Sequence, residues 1–279
     1  MVKTAFCSVI FPANIIYFKD FLSSLEQQTN KDFVLLLFND GVLNLVDYLK
    51  NTHLVYKIIN VKGSVSETRT QLFEYIKETS FENFIFGDTD DYFSSNRVEV
   101  CTKWLEKVDI IANDLILVSS DKTQLTGLYW ENRPELKETI SIESIKKYNF
   151  LGLGNTAIKK KVLPNQIKFD SNLVALDWYF FSILLQKHWK VGFTSQSVVY
   201  YRQHNANIVG RKEMTFEDFK KGFNVKLNHY ISLAKINADF QELAIEYSSV
   251  SDKISEINYT NSLQNSTIKN PFWWEEIQL

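Results

Sequence analysis

Three carboxylates within four residues make Asp88-Thr89-Asp90-Asp91 a candidate metal-binding segment. The segment directly follows Phe84-Ile85-Phe86, an apolar run that predicts a buried strand. Neighbouring like charges repel one another, and burial raises the pKa of a carboxyl group further. A hard divalent cation relieves both effects, and Mg2+ or Mn2+ usually shares its oxygen ligands with substrate phosphates. The alternative is a solvated acidic turn that caps the helix predicted to start near Asn96, and spacing alone does not decide between the two.

Asp40 and Arg69 are candidates for binding a nucleotide. Asp40 lies in the turn Asn39-Asp40-Gly41, at the end of a second predicted strand, where its carboxylate could accept a hydrogen bond from a base N–H. An ordinary Asx turn is the alternative. The planar guanidinium of Arg69 could reach a phosphate or a base, or Arg69 could be a surface residue of a helix.

Acid–base chemistry could come from three residues in the second half of the chain. Asp177 stands at the start of an apolar helix, where it could act as a general base towards an attacking hydroxyl. It could equally be a first-turn aspartate that the helix dipole stabilises. Arg202 and His204 follow the last predicted strand and could stabilise a leaving diphosphate. His204 could instead bind the metal or have a structural role.

The elements that would position these residues alternate regularly in the first ninety residues. Apolar runs at residues 5–11, 33–38, 55–61 and 84–86 predict four strands, and helical spacing of apolar residues lies between them. This alternation predicts an α/β fold whose central sheet is mostly parallel and flanked by helices. Ligands bind at the carboxyl ends of the strands in such sheets. The turn at Asp40 and the segment at Asp88 should therefore converge on one edge.

The rest of the chain is predicted to be less regular. Residues 150–156 form a glycine-rich turn, residues 198–201 a last strand, and residues 216–234 a long amphipathic helix. We therefore divide the chain into a nucleotide-binding domain at residues 1–210 and a helical C-terminal extension at residues 211–279.

Composition excludes several classes of protein. The net charge of −2 with no concentrated basic patch argues against nucleic-acid binding. The glycine-rich motifs of dehydrogenases and P-loop proteins are absent, as is the nucleophile elbow of hydrolases. The 4 histidines lack zinc-ligand spacing, and the 2 cysteines suggest no disulfide framework. With no signal-peptide pattern and no long apolar stretch, a cytoplasmic location is expected, with the inner membrane surface as an alternative.

The order of these motifs resembles the family 2 glycosyltransferases, which have the GT-A fold. The resemblance covers roughly residues 4–210. It is carried by five segments, in chain order: Ser8-Val9-Ile10-Phe11-Pro12, Asn39-Asp40-Gly41, Val65-Ser66-Glu67-Thr68-Arg69, Asp88-Thr89-Asp90-Asp91 and Tyr200-Tyr201-Arg202-Gln203-His204. Phe169-Asp170 and Leu176-Asp177-Trp178 are similar to the family's segment that carries the catalytic base.

The resemblance implies a role for each candidate residue. The nucleotide-binding residues would be Pro12, Asp40, Arg69 and Asp88. The metal, Mn2+ or Mg2+, would be bound by Asp88 and Asp90. Asp177 would be the base, and Arg202 and His204 would contact the diphosphate. The implied activity is inverting transfer of a sugar from a nucleotide-diphosphate sugar to an acceptor hydroxyl, as in polysaccharide synthesis.

Four positions depart from the family pattern: Asn39, Thr70, Ser95 and Leu176. Leu176 stands where a glutamate usually precedes the base. This difference motivates an alternative, a degenerate GT-A domain that binds a nucleotide or glycan without transferring it. A nucleotidyltransferase on a similar fold is a third reading.

The expected partners are a nucleotide-sugar donor and a glycan or lipid-linked acceptor. The aromatic end Phe272-Trp273-Trp274 could pack on the protein, take part in a homodimer through the extension, or contact a membrane interface peripherally.

Overall fold

The computed structural model describes residues 2–136, 139–204, 215–251, 254, 259–260, 271–272 and 274–277. The contacts divide the chain into two compact units. The first comprises Met1–Ile140, Leu151–Lys168 and His188–Asn207, and the second comprises Ser141–Phe150, Phe169–Lys187 and Ile208–Leu279. The domain boundary expected at residue 210 lies outside the described residues, so that division stays a prediction.

Among its described residues, the first unit contains one nine-stranded sheet and four α-helices. Its strands are β1 (Thr4–Ile10), β2 (Val34–Asn39), β3 (Tyr56–Asn60), β4 (Asn83–Phe86), β5 (Tyr92–Phe93), β6 (Ile110–Ser119), β7 (Gln124–Leu128), β8 (Thr156–Lys159) and β9 (Val191–Gln203). Its helices are α1 (Phe18–Glu26), α2 (Leu45–Leu49), α3 (Val65–Glu78) and α4 (Arg97–Leu105).

The strand order is β3-β2-β1-β4-β8-β6-β9-β5, with β7 added to β6. The four strands expected from the alternating pattern are parallel neighbours, with Cys7 of β1 paired to Leu36 of β2 and to Phe86 of β4. This confirms the α/β fold with a mainly parallel central sheet flanked by helices. The strand β8 was not expected, because the sequence suggested only a turn there. It pairs antiparallel with β4 and β6 and joins the two halves of the sheet.

Local signals explain how α3 begins and what it buries. Ser64 and Glu67 form a capping box at the start of α3, in which the Ser64 amide donates to Glu67 Oε2 at 2.7 Å. Leu72, Phe73 and Ile76 of α3 are buried, as their helical spacing predicts.

The second unit is helical, with α5 (Leu176–Leu184), α6 (Phe216–Ala234) and α7 (Gln241–Val250). Thr215 and Asp218 cap α6, and Phe223 of α6 stacks on Tyr247 of α7 with ring centroids 5.1 Å apart. The buried face of α6 includes Lys226 and His229, which the apolar pattern did not predict. None of the described helices is long and apolar enough to span a membrane.

Candidate functional site

The acidic segment 88–91 forms a turn at the carboxyl end of β4, which we call the acidic turn. Gly87 leads into it, and only a glycine fits, because a Cβ there would lie 2.5 Å from the Phe93 ring. Thr89 is fully buried and its hydroxyl donates to the Val9 carbonyl of β1 at 3.1 Å. The turn is therefore tied to two neighbouring strands, which fixes the carboxylates on either side of Thr89.

The three carboxylates differ in their partners. Asp88 Oδ1 lies 3.3 Å from Nη2 of Arg69, and Asp90 Oδ2 lies 2.9 Å from Nε2 of His204. Asp91 is 1% exposed, and its Oδ1 accepts a hydrogen bond from the Arg202 amide at 2.8 Å. Among the described residues, no donor reaches its second oxygen, Oδ2. Asp91 Oδ2 is therefore buried without a hydrogen-bond partner among the described residues.

Burial and mutual repulsion disfavour the charged forms of this turn. The pKa of Asp90 is raised by burial and then by the charge of Asp88, against the opposing effect of His204. The pKa of Asp91 is raised well above its usual value, first by burial and then by the charges of Asp90 and Asp88. A bound cation would favour the ionised forms and remove this penalty.

The lack of a side chain at Gly154 lets two of these carboxylates lie close to its backbone. A Cβ on Gly154 would lie 2.9 Å from Oδ2 of Asp88 and 3.7 Å from Oδ2 of Asp91. The two oxygens therefore face the same point, and a carboxylate set suits a hard cation such as Mg2+ or Mn2+. No group of three His, Cys, Asp or Glu side chains within the described parts of the chain forms a complete metal site. The residues fit a cation that takes its remaining ligands from a bound phosphate or from water.

Two buried arginines enclose the acidic turn, and the role of the first was not predicted from the sequence. Arg97 is fully buried, and its Nη2 donates to the Phe86 carbonyl at 2.6 Å and to the Gly154 carbonyl at 3.1 Å. Burial lowers its pKa to about 10. The signal was present in the sequence, because Arg97, Cys101 and Leu105 share one face of α4 at four-residue spacing.

Arg202 is 1% exposed and holds the other side of the turn. Its Nε donates to the Asp90 carbonyl at 2.8 Å, its Nη1 to the Ser120 carbonyl at 2.5 Å, and its Nη2 to Asp20 Oδ2 at 2.8 Å. The guanidinium also lies 4.6 Å from the Tyr17 ring centroid. These contacts give Arg202 a role in shaping the turn. Its expected contact with a diphosphate stays a prediction, as does that of His204.

The candidate nucleotide-binding residues lie along the same edge. Pro12, Asp40 and Asp88 follow β1, β2 and β4, and these three strands are neighbours in the sheet. The expected convergence at this edge is therefore present. After β2 the Asn39 side chain closes the turn, because its Oδ1 accepts from the Val42 amide at 2.9 Å. The role of Asp40 stays a prediction.

Asp177 belongs to the second unit, in the first turn of α5. It is half-buried, whereas Leu176 and Trp178 on either side are buried. The indole N–H of Trp178 donates to the Ile145 carbonyl at 2.6 Å, which anchors the start of the helix. The catalytic role of Asp177 stays a prediction.

Comparison of the whole fold with solved structures identifies similar proteins. Residues 1–349 of S. aureus TarS in complex with UDP-GlcNAc match 95% of this chain and 76% of that chain, with 16% identity and a TM-score of 0.63. The mannosyltransferase PcManGT from Pyrobaculum calidifontis, in complex with GDP-Man and Mn2+, matches 96% of this chain and 81% of that chain, with 9% identity and a TM-score of 0.61. No protein-family model matches the sequence, and no curated protein matches it at a significant level. The chain therefore has the GT-A-like fold of these glycosyltransferases.

Proposed function

We propose that this chain is a metal-dependent glycosyltransferase that moves a sugar from a nucleotide-diphosphate sugar to an acceptor hydroxyl with inversion. The observation that carries the proposal is the acidic turn, where burial and the neighbouring charges raise the pKa values of Asp90 and Asp91 beside Asp88, a penalty that a bound cation would remove. The GT-A-like neighbours, which bind UDP-GlcNAc or GDP-Man, support the same reading. The resemblance to family 2 of these enzymes belongs to this proposal.

Asp88 and Asp90 would hold Mn2+ or Mg2+, with Asp91 as the buried carboxylate behind them. The cation would act as a Lewis acid that neutralises the charge developing on the leaving diphosphate. Pro12, Asp40 and Arg69 would bind the nucleotide. The Arg69–Asp88 ion pair links this group to the acidic turn.

Asp177 would be the general base that takes the proton from the acceptor hydroxyl as it attacks the anomeric carbon. Such a base contributes about 10²–10⁴ in rate. His204 would contact the diphosphate from its place beside Asp90, and Arg202 would do so together with its hold on the turn.

The alternative of a degenerate binding domain has one specific observation in its favour. Leu176, where the family usually has a glutamate, is buried at 5% exposure, so no carboxylate stands beside Asp177 at that position. Such a domain would bind the nucleotide without turning over the donor.

A donor assay separates the two. Purified protein is mixed with Mn2+ and a panel of labelled UDP- and GDP-sugars, and release of the nucleoside diphosphate is measured with and without glycan acceptors. Release that needs Asp88 and Asp90 supports the transferase. Metal-dependent binding of a nucleotide without any release, in the presence of acceptors, supports the degenerate domain. Release of pyrophosphate from a nucleoside triphosphate would indicate a nucleotidyltransferase instead.

The remaining expectations are part of the same proposal: residues 1–210 as the transferase domain, residues 211–279 as an extension, a glycan or lipid-linked acceptor, and a cytoplasmic protein that can act at the inner membrane surface. Within the second unit, Phe272 is 1% exposed and stacks on Tyr148 with ring centroids 4.9 Å apart. This supports packing on the protein for the start of the aromatic end. A homodimer or a peripheral membrane contact would have to use other residues of the extension.

A further inference from the structure

A cavity of about 680 Å³ lies in the first unit, beside the first residues of β9. Its polar lining comprises Glu131, Asn132, Thr194 and Ser195, and Trp104 forms part of its apolar wall. Its volume lies within the range of about 300–1,000 Å³ that is usual for small-molecule sites. It is separate from the acidic turn, because Thr194 and Arg202 pair with Asn113 and Val118 of β6, which are five residues apart, or about 17 Å along an extended strand.

The buried carboxylate of Asp114 holds two sides of this cavity in place. The register of β9 against β6 shifts from Asn113↔Thr194 to Asp114↔Val198, so β9 bulges at residues 195–197. Ser195 Oγ in this bulge donates to Asp114 Oδ2 at 2.9 Å, and the Trp130 amide donates to Asp114 Oδ1 at 2.9 Å. The bulge of β9 and the loop after β7 thus both donate hydrogen bonds to Asp114. The cavity is preformed, which lowers the cost of binding.

Trp104 offers an aromatic surface held in a defined place. A Cβ on Gly192 would lie 3.3 Å from the Trp104 ring, so the glycine lets the indole lie close against β9. The indole N–H lies 3.4 Å from Gln196 Oε1, within the bulge. The C–H faces of sugar rings pack well on such a surface, because an aromatic ring combines a large apolar area with a negative face.

The charges of the lining select against phosphate ligands. Among the described residues that line the cavity, Glu131 is the only charged side chain, and no Lys, Arg or His accompanies it. A nucleotide or phosphate would find no cation there, whereas the amide of Asn132 and the hydroxyl of Thr194 can donate to and accept from sugar hydroxyls. The Ser195 hydroxyl, whose proton goes to Asp114, can accept from them.

We propose that this cavity binds a neutral saccharide, with Trp104 as the surface on which a sugar ring packs and with Glu131, Asn132, Thr194 and Ser195 as its hydrogen-bonding partners. The site goes beyond the proposed donor site and does not depend on transfer activity. A saccharide bound here would hold a glycan chain on the enzyme away from the acidic turn.

The test is direct binding of neutral disaccharides to the full chain, measured by saturation-transfer NMR and calorimetry. The probes are maltose, cellobiose, lactose and N,N′-diacetylchitobiose, with UDP as the charged comparison. We expect at least one disaccharide to bind with a millimolar dissociation constant and not to be displaced by UDP with Mn2+. Displacement by UDP would place the sugar in the donor site and overturn the proposal, as would the absence of binding by all four probes.

Two variants locate the binding. Trp104→Ala should weaken it about tenfold, which corresponds to about 1.4 kcal/mol. Because Trp104 also packs on β9, a second variant is needed that leaves the packing intact. Asn132→Trp, at an exposed position, should fill the cavity and abolish binding, whereas Lys107→Trp, exposed and outside the lining, should not affect it. Binding by Asn132→Trp equal to that of the unmodified chain would contradict the proposal.

Discussion

Each compact unit buries charged or titratable side chains, but the two do so in opposite ways. The acidic turn of the first unit gathers like charges close to Gly154 and leaves Asp91 Oδ2 without a donor among the described residues. In the second unit, Lys226, His229 and Tyr230 lie on the buried face of α6, and we call them the α6 cluster.

The α6 cluster can be neutral, although both ring nitrogens of His229 and the Tyr230 hydroxyl are buried without a hydrogen-bond partner among the described residues. Lys226 Nζ donates to the Ile277 carbonyl at 2.6 Å, and burial, followed by the charge of Lys147, lowers its pKa to about 7. His229 is stacked on Trp178 with ring centroids 3.9 Å apart, and burial holds its pKa well below the usual value. Both regions therefore have shifted pKa values and buried atoms without partners, but the acidic turn gathers several carboxylates whose charges repel one another. That repulsion, and not burial alone, marks a binding site for a cation.

The largest expected effect concerns Asp177, the one residue of the second unit with a proposed catalytic role. Asp177→Asn should lower the rate of sugar transfer by about 10²–10⁴, because a general base is lost. Donor binding, measured by calorimetry, should stay within error of the unmodified chain. Asp239→Asn, an exposed aspartate of the same unit, is the control. Full activity in Asp177→Asn would refute the base assignment.

Replacing the buried cation of each region by methionine tests the comparison itself. Arg97→Met should lower the free energy of unfolding by about 3 kcal/mol, because the buried Phe86 and Gly154 carbonyls lose their donor and the nearby carboxylates lose a countercharge. Lys226→Met should not lower it, since the Ile277 carbonyl keeps the Tyr247 hydroxyl at 3.3 Å and the cost of burying an ammonium group is removed. Urea denaturation at pH 7 measures both. Equal destabilisation by the two changes would show that the regions do not differ as described.

The pH dependence of the free energy of unfolding should report the titration of Lys226 in the α6 cluster. The pKa of Lys226 is about 7 in the folded chain against an ordinary value of 10.5, so between these values the unfolded chain binds a proton that the folded chain has released. The free energy of unfolding should then rise with pH by about 1.4 kcal/mol per unit. Urea denaturation between about pH 7 and 9 should show this rise, and Lys226→Met should remove it. An unchanged slope in the variant would mean that Lys226 is not the group responsible.

The smallest expected effect tests the close approach of Asp88 to Gly154. Gly154→Ala places a methyl group 2.9 Å from Asp88 Oδ2 and should weaken metal-dependent nucleotide binding about tenfold, or about 1.4 kcal/mol. Gly127→Ala is the matched control, because no atom lies within 4 Å of its added Cβ. If both variants bind the nucleotide equally well, the cation does not lie beside Gly154.

Local patterns were enough to predict the parallel half of the sheet. The strands β1 to β4 are short apolar runs separated by amphipathic helices, and their order places Asp40 and Asp88 at one edge. The strand β8 escaped prediction because its partners, Ile85 and Ile111, are distant in sequence, and a four-residue run carries little periodicity of its own.

The site was predicted less completely than the fold. The acidic turn was visible because its charges are adjacent, whereas Arg97, Gly154 and Asp20 act through contacts that only the folded chain creates. The α6 cluster was missed for a related reason. A lysine and a histidine predict an exposed face, but Lys226 here finds a carbonyl and His229 an aromatic partner inside the unit.

The most direct test of the account is thermal denaturation with UDP and GDP, each with and without Mn2+, for the unmodified chain and for Asp90→Ala. One nucleotide should stabilise the unmodified chain only when Mn2+ is present, by about 2.7 kcal/mol at one hundred times its dissociation constant. Asp90→Ala should lose that stabilisation. Stabilisation that is independent of Mn2+ and unchanged in Asp90→Ala, or no stabilisation by either nucleotide, would contradict the assignment of the acidic turn as a metal and diphosphate site.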